Sequence, residues 1–204
     1  MKLYLVRHGE TTRNREGRTQ GRDDEPLCEE GRAQAELLGQ AFKDCKVAAI
    51  FSSPLLRAVD TASAIASHHR LDVNVEESLI EIDQGEMDGL TFTEMRSRFG
   101  DVLRQWAADS ENVRLPGGES MGDVQRRAWA GVQGIRERHT NDSVLLVSHN
   151  FVILSIICRA IHLEVSNFRR FRLSPTGVSL LDLGEDDGML LSFNDTCHLA
   201  GHLV

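Results

Sequence analysis

Three short apolar runs, each followed closely by a basic or imidazole side chain, constrain this chain more than any other feature. Residues 3–6 lead into Arg7-His8, residues 47–51 into a segment holding Arg57, and residues 144–147 into Ser148-His149. Runs this short, without polar alternation, suit strands buried on both faces. Helical patterns lie between them. Ala33, Leu37, Leu38 and Ala41 recur at helical spacing within 29–42. Ser53-Pro54 predicts a cap and first turn, with the helix running to about His69. Thr91-x-x-Glu94 forms a capping-box pattern before a short helix. A further helix is expected from Ser120, after Pro116-Gly117-Gly118, to about Arg138, and residues 151–161 continue as an apolar helix. Residues 177–183 and 189–193 read as two late strands joined through Glu185-Asp186-Asp187-Gly188.

Strands alternating with helices predict an α/β fold, a three-layer sandwich with a mostly parallel central sheet and helices on both faces. The 204 residues show no linker or repeat and suit a single domain, 1–204. Ligands of such sheets bind beyond the carboxyl ends of the strands. Arg7, His8, Arg57 and His149 all fall there, so they are expected to converge on one rim.

The net charge of -8 argues against general affinity for nucleic acid or an anionic membrane. An anionic substrate would therefore meet positive charge only where the site gathers it. A phosphomonoester fits the rim residues. Its transferred group spreads negative charge over three oxygens, and the planar forks of Arg7 and Arg57 can each bond two of them. A neutral imidazole can attack phosphorus, and neighbouring positive charge keeps histidines neutral. His8 is the expected nucleophile, with His149 donating to the phosphoryl oxygens. One carboxyl group can protonate the leaving oxygen and then activate water. Glu81 and Asp83, in Leu79-Ile80-Glu81-Ile82-Asp83-Gln84-Gly85, both qualify at this point.

Other features have plainer explanations. His68, His69 and His139 suit helix ends, where the dipole favours them. His198 and His202 stand four apart, too few ligands for a metal site, so no metal is expected. Gly117-Gly118 suits a turn. The cysteines at 28, 45, 158 and 197 form no metal-binding spacing and are expected as reduced, mostly buried thiols. No apolar run reaches the length of a membrane span, and the apolar N-terminal run is too short for a signal peptide, which predicts a cytoplasmic protein.

Taken together, Leu5-Val6-Arg7-His8-Gly9-Glu10-Thr11, Ser52-Ser53-Pro54-Leu55-Leu56-Arg57-Ala58, Gly117-Gly118-Glu119-Ser120 and Val147-Ser148-His149 make the chain similar to the histidine phosphatase superfamily, in its phosphoglycerate-mutase-like branch. Leu27 to Ala35 resembles a characteristic helix start of that family. Asn14 stands where the family has an Asn, and Gln20-Gly21 resembles its phosphate-side loop. The resemblance implies His8 as phospho-acceptor, Arg7, Arg57 and His149 as phosphate ligands, and Glu81 rather than Asp83 as proton donor. It implies no cofactor, a small-molecule phosphate ester as partner, and a family in which homodimers are frequent.

The departures also inform. Asn150 follows the second histidine where the family often has Gly. Gln84 to Leu90 differs from the corresponding segment of the glycolytic mutases, and the chain is short, which favours hydrolysis over mutase-type transfer. Glu81 to Gly85 and the tail Asn194 to Leu199 resemble metal-independent phosphoserine phosphatases, with His198 implied as a substrate contact. In that group a histidine associated with substrate recognition stands where Gln84 is here. Phosphoserine or a similar small phosphometabolite ranks first. Phosphoglycerate mutase-type transfer and α-ribazole or broad-specificity phosphatase activity are the alternatives. A non-catalytic binder ranks last, since binding needs neither nucleophile nor acid.

Overall fold

Strands without polar alternation can be buried only if both sheet faces are covered, and that is how the chain folds. The computed structural model describes residues 1–184 and 188–200. Its strands are β1 (Lys2–Arg7), β2 (Ala49–Ser52), β3 (Val73–Val75), β4 (Ser143–Ser148), β5 (Val178–Leu183) and β6 (Gly188–Asp195). Its α-helices are α1 (Thr12–Glu16), α2 (Glu29–Phe42), α3 (Leu56–Ala66), α4 (Phe92–Ala108), α5 (Met121–Arg138) and α6 (Asn150–Ala160). The strand order is β3-β2-β4-β1-β5-β6. Strands β1–β4 are mutually parallel, β5 pairs antiparallel with β1, and β6 pairs antiparallel with β5. The predicted join at Glu185-Asp186-Asp187 lies outside the described residues.

Period-two alternation splits each central strand between two cores. Leu3, Leu5, Ala49, Phe51, Val144 and Leu146 face one side, where α5 and α6 supply Val124, Val132, Val152 and Ile156. Val6, Ile50, Leu145 and Val147 face the other, against Leu38 and Phe42 of α2 and Ala58, Ala62 and Ile65 of α3. The mostly parallel three-layer sandwich is therefore as expected. Among the described residues, no helix is long and apolar enough to cross a membrane.

Several boundaries differ from the sequence reading, each for a local reason. Helix α3 starts at Leu56, after a Leu55 cap without a side-chain bond. The Ser53 hydroxyl instead lies 2.7 Å from His149 Nε2. Asp24, from a distant loop, accepts the first helical amide of Leu56 at 2.6 Å. Helix α4 is not short. Its capping box at Thr91 and Glu94 forms as expected, but the helix runs 17 residues through a kink at Phe99. Helix α1 and β3 were not foreseen from the sequence, being only five and three residues long. The thiols are free but not mostly buried, since only Cys158 is buried and Cys197 is exposed.

Candidate active site

Strand β1 and the parallel β4 end in register, so the residues following them emerge side by side. The His8 amide donates to Ser148 O at 3.0 Å. The His8 and His149 rings then lie 5.1 Å apart. The loop carrying His8 packs tightly on the start of α2. A Cβ on Gly31 would come within 2.0 Å of Glu10 O, so only glycine fits. Gly9 N donates to Thr61 Oγ1 at 3.0 Å, which ties the loop to α3.

Ring orientation follows from the hydrogen bonds. His8 Nδ1 lies 2.7 Å from Gly9 O, a pure acceptor, so Nδ1 carries the hydrogen. Nε2 therefore keeps its lone pair. His149 Nε2 faces Ser53 Oγ, whose own lone pair accepts the Leu55 amide at 3.4 Å. The hydroxyl can give its hydrogen to Nε2, and in that tautomer Nδ1 of His149, which bonds no protein atom, carries a hydrogen and is a donor. Burial holds both imidazoles well below the ordinary histidine range, and the positive charges of Arg57 and Arg7 lower them further.

The arginines are held from behind. Arg57 is fully buried, and its Nη atoms donate to Asp23 O and Gly21 O at 2.8 and 2.7 Å. Burial lowers its pKa to about 10, so it stays charged at neutral pH. Arg7 Nη1 donates to Leu173 O at 2.6 Å. Arg7 Nε, Arg57 Nε and His149 Nδ1 are buried and bond no protein atom. Three polar nitrogens in this state, two of them on cations, suit an oxyanion.

Glu81 and Asp83, both eligible from local pattern before the resemblance favours Glu81, have different environments. The Glu81 carboxylate is buried, accepts the amides of Ile82 at 2.8 Å and Phe151 at 3.3 Å, and lines the cavity beside His8. Burial raises its pKa against the pull of those amides and of Arg57. Asp83 Oδ1 accepts Gly85 N at 2.9 Å, its other oxygen faces Arg22 at 3.4 Å, and it does not line the cavity. Arg127 fixes the Glu81 segment, donating to Ser78 O, Glu81 O and the Glu119 carboxylate at 2.8–3.1 Å.

The cavity holds about 330 Å³. Arg7, His8, Asn14, Gln20, Glu81, Gln84 and Asn150 all line it. Gly21 serves through its backbone, donating to Asp88 and accepting from Arg57. His198 is not brought to the cavity. Its tail turn packs against α2, its Nε2 meets Thr176 Oγ1 at 3.0 Å, and it lines a separate groove with Tyr4 and Phe42. His202 lies outside the described residues. Among the described residues, no group of three or more His, Cys, Asp or Glu side chains is placed to hold a metal ion.

Sequence reasoning missed Ser53, Thr61 and a set of apolar residues from α4 that form the far wall of the cavity. A hydroxyl beside Pro54 signals only a helix cap, and the α4 stripe has the spacing of any core-facing helix.

Comparison with known proteins adds the following. The family model described as histidine phosphatase superfamily (branch 1) matches residues 3–196. The chain is 35% identical over 204 residues to phosphoserine phosphatase 1 of Hydrogenobacter thermophilus, covering 100% of this chain and 97% of that protein. It is 32% identical over 185 residues to the probable phosphoglycerate mutase GpmB of Salmonella choleraesuis, covering 91% and 86%. A mutant phosphoserine phosphatase from Entamoeba histolytica, solved with phosphoserine, superposes with a TM-score of 0.86 at 31% identity, covering 97% of this chain and 98% of that one.

Proposed function

Because the chain belongs to the histidine phosphatase superfamily, we propose that it hydrolyses small phosphomonoesters through a phosphohistidine formed on Nε2 of His8. The carrying observation is the His8 ring itself, with Nδ1 committed to Gly9 O and Nε2 left as the lone pair. In the first step Nε2 attacks phosphorus while Arg7, Arg57 and the Nδ1 hydrogen of His149 hold the equatorial oxygens. The P–O bond to the leaving group breaks, and protonated Glu81 gives that oxygen its proton. In the second step ionised Glu81 takes a proton from water, whose oxygen attacks phosphorus. The P–N bond breaks, releasing inorganic phosphate with Glu81 protonated and His8 neutral again. Asn14, Gln20, Gln84 and Asn150 are the proposed neighbours of the bound ester. The chemistry uses groups of this chain alone.

The test is phosphate release from phosphoserine, 3-phosphoglycerate, α-ribazole phosphate and sugar phosphates, run with and without chelator. Release at an equal rate with chelator, and an acid-labile, base-stable phosphoenzyme trapped from labelled substrate, are expected. His8→Ala should lose both signals. A His8→Ala protein hydrolysing at near the parent rate would overturn the nucleophile, and phosphoryl transfer between positions of phosphoglycerate without release would point to a mutase instead.

A further inference from the structure

The wall opposite His8 is more apolar than a phosphoamino acid or sugar phosphate requires. Helix α4 presents Phe92, Met95, Leu103 and Trp106 to the cavity, and Leu115 and Phe151 join them. These positions on α4 share one helical face. Met95, Leu103 and Trp106 pack against the core on one side without being fully buried, and the side they leave open lines the cavity. Trp106 is held in place by an edge contact with Phe151 and a tilted contact with Phe168, with Arg169 stacked 4.9 Å from its ring centre.

Charged recognition of the leaving group finds little here. Phosphoserine carries a carboxylate and an ammonium beyond its phosphate, and each needs a free opposite charge. The cations lining the cavity are Arg7 and Arg18. Arg7 belongs to the phosphoryl site. Arg18 already serves Glu16 at 3.1 Å, Gly89 O at 3.0 Å and Glu94 at 3.4 Å. The lining carboxylate is Glu81, which the chemistry occupies. Gln84 is buried and offers only a neutral amide.

We propose that this cavity selects phosphomonoesters whose leaving group is apolar and uncharged, an alkyl or aromatic alcohol, with α4 as the specificity element. This rests on the phosphatase reading and names its substrate class. Burying a methylene from water favours binding enough to raise kcat/KM about threefold to fourfold for each one accommodated.

The experiment is a series of n-alkyl phosphates from methyl to hexyl, with phosphoserine alongside. These leaving alcohols differ little in basicity, so the demand on Glu81 stays constant and the slope reports the wall. A rise of about threefold per methylene is expected, with hexyl phosphate exceeding phosphoserine by at least an order of magnitude. Trp106→Ala should flatten the slope. Phe92→Ser tests the same wall at a side chain 65% exposed, where folding is not at stake, and should lower the slope in the same direction. Binding of hexylphosphonate against methylphosphonate, measured calorimetrically, gives the same ranking without turnover. A flat series, or phosphoserine equal to hexyl phosphate, overturns the apolar selection while leaving the phosphatase intact. Absence of phosphate release from every ester overturns both.

Discussion

At His8 and Glu81, one kind of environment produces opposite protonation states. Burial disfavours charge on either group, so it lowers the imidazole and raises the carboxyl. Arg57 and Arg7 add to the first effect and Arg57 opposes the second. The active form pairs neutral His8 with protonated Glu81, and the two shifts widen its range: the lowered His8 extends it toward acid and the raised Glu81 toward alkali. Activity should fall on the acid side as His8 protonates and on the alkaline side as Glu81 ionises, giving a bell-shaped kcat/KM profile. Glu81→Gln should remove the alkaline limb and lower kcat/KM, which reports the phosphorylation step, by about 10²–10⁴-fold for alkyl phosphates, with a far smaller effect on kcat/KM for nitrophenyl phosphate, whose leaving group needs no proton. Equal slowing of both esters would refute the acid role. Arg7, His8, Arg57 and His149 were legible in sequence because each follows a strand end, where this fold gathers ligands. Ser53 was not, because the bond that orients His149 joins residues 96 positions apart. Local pattern does not separate Glu81 from Asp83; the family resemblance favours Glu81, and the fold gives the physical reason, since the two carboxyls differ in burial and direction.

Among the elements, α5 and α4 shape the cavity in unlike ways. Through Arg127, α5 fastens the Glu81 segment with four hydrogen bonds, two to carbonyls and two to Glu119. Arg127 touches no reacting atom and acts as a positioning residue. Arg127→Met should lower kcat by roughly tenfold to a hundredfold through misplacement of Glu81, with little change in KM, and cost about 2 kcal/mol of stability in urea unfolding. Arg127→Lys should recover part of the kcat, and a loss confined to KM would contradict the positioning role. Helix α4 buries none of its residues fully, while β4 is buried along nearly its whole length. Amide exchange should therefore release α4 well before β4, and Thr91→Ala, which removes the capping box, should cost about 1 kcal/mol. Exchange of α4 as slow as that of β4 would contradict this ordering. The helix at 29–42 was legible because its apolar spacing and its length agree. Strand β3 was not, because Val73 and Val75 lie at a sheet edge and are not buried. The length of α4 was hidden by the kink at Phe99 and by polar residues interrupting its apolar stripe.

For the molecule as a whole, the parallel core follows from three apolar runs too short for helices, whereas the strand order depends on crossovers that leave no local trace. The antiparallel edge formed by β5 and β6 also closes the site from below, since Gly177 O accepts the Arg7 amide at 3.2 Å and the Thr176 amide donates to His8 O at 3.3 Å. The phosphoryl site thus draws on β1, α3, β4 and the approach to β5, which are spread from residue 7 to residue 177. A ligand gripping all of them couples the parts of the sheet to one another. Orthovanadate, an oxyanion that adopts the geometry of phosphoryl transfer, should bind the folded chain and not the unfolded one. At a hundred times its Kd it should stabilise the fold by about 2.7 kcal/mol, which for a chain of this length raises Tm by roughly 5–10 °C. If residues 1–204 form a single cooperative unit, calorimetry will give one transition with equal calorimetric and van't Hoff enthalpies, and vanadate will move all of it. Arg57→Ala should abolish most of that shift, because Arg57 is the buried cation joining the 21–23 loop to the imidazoles. Two transitions, only one of them moved by vanadate, would show instead that part of the chain folds independently of the phosphoryl site.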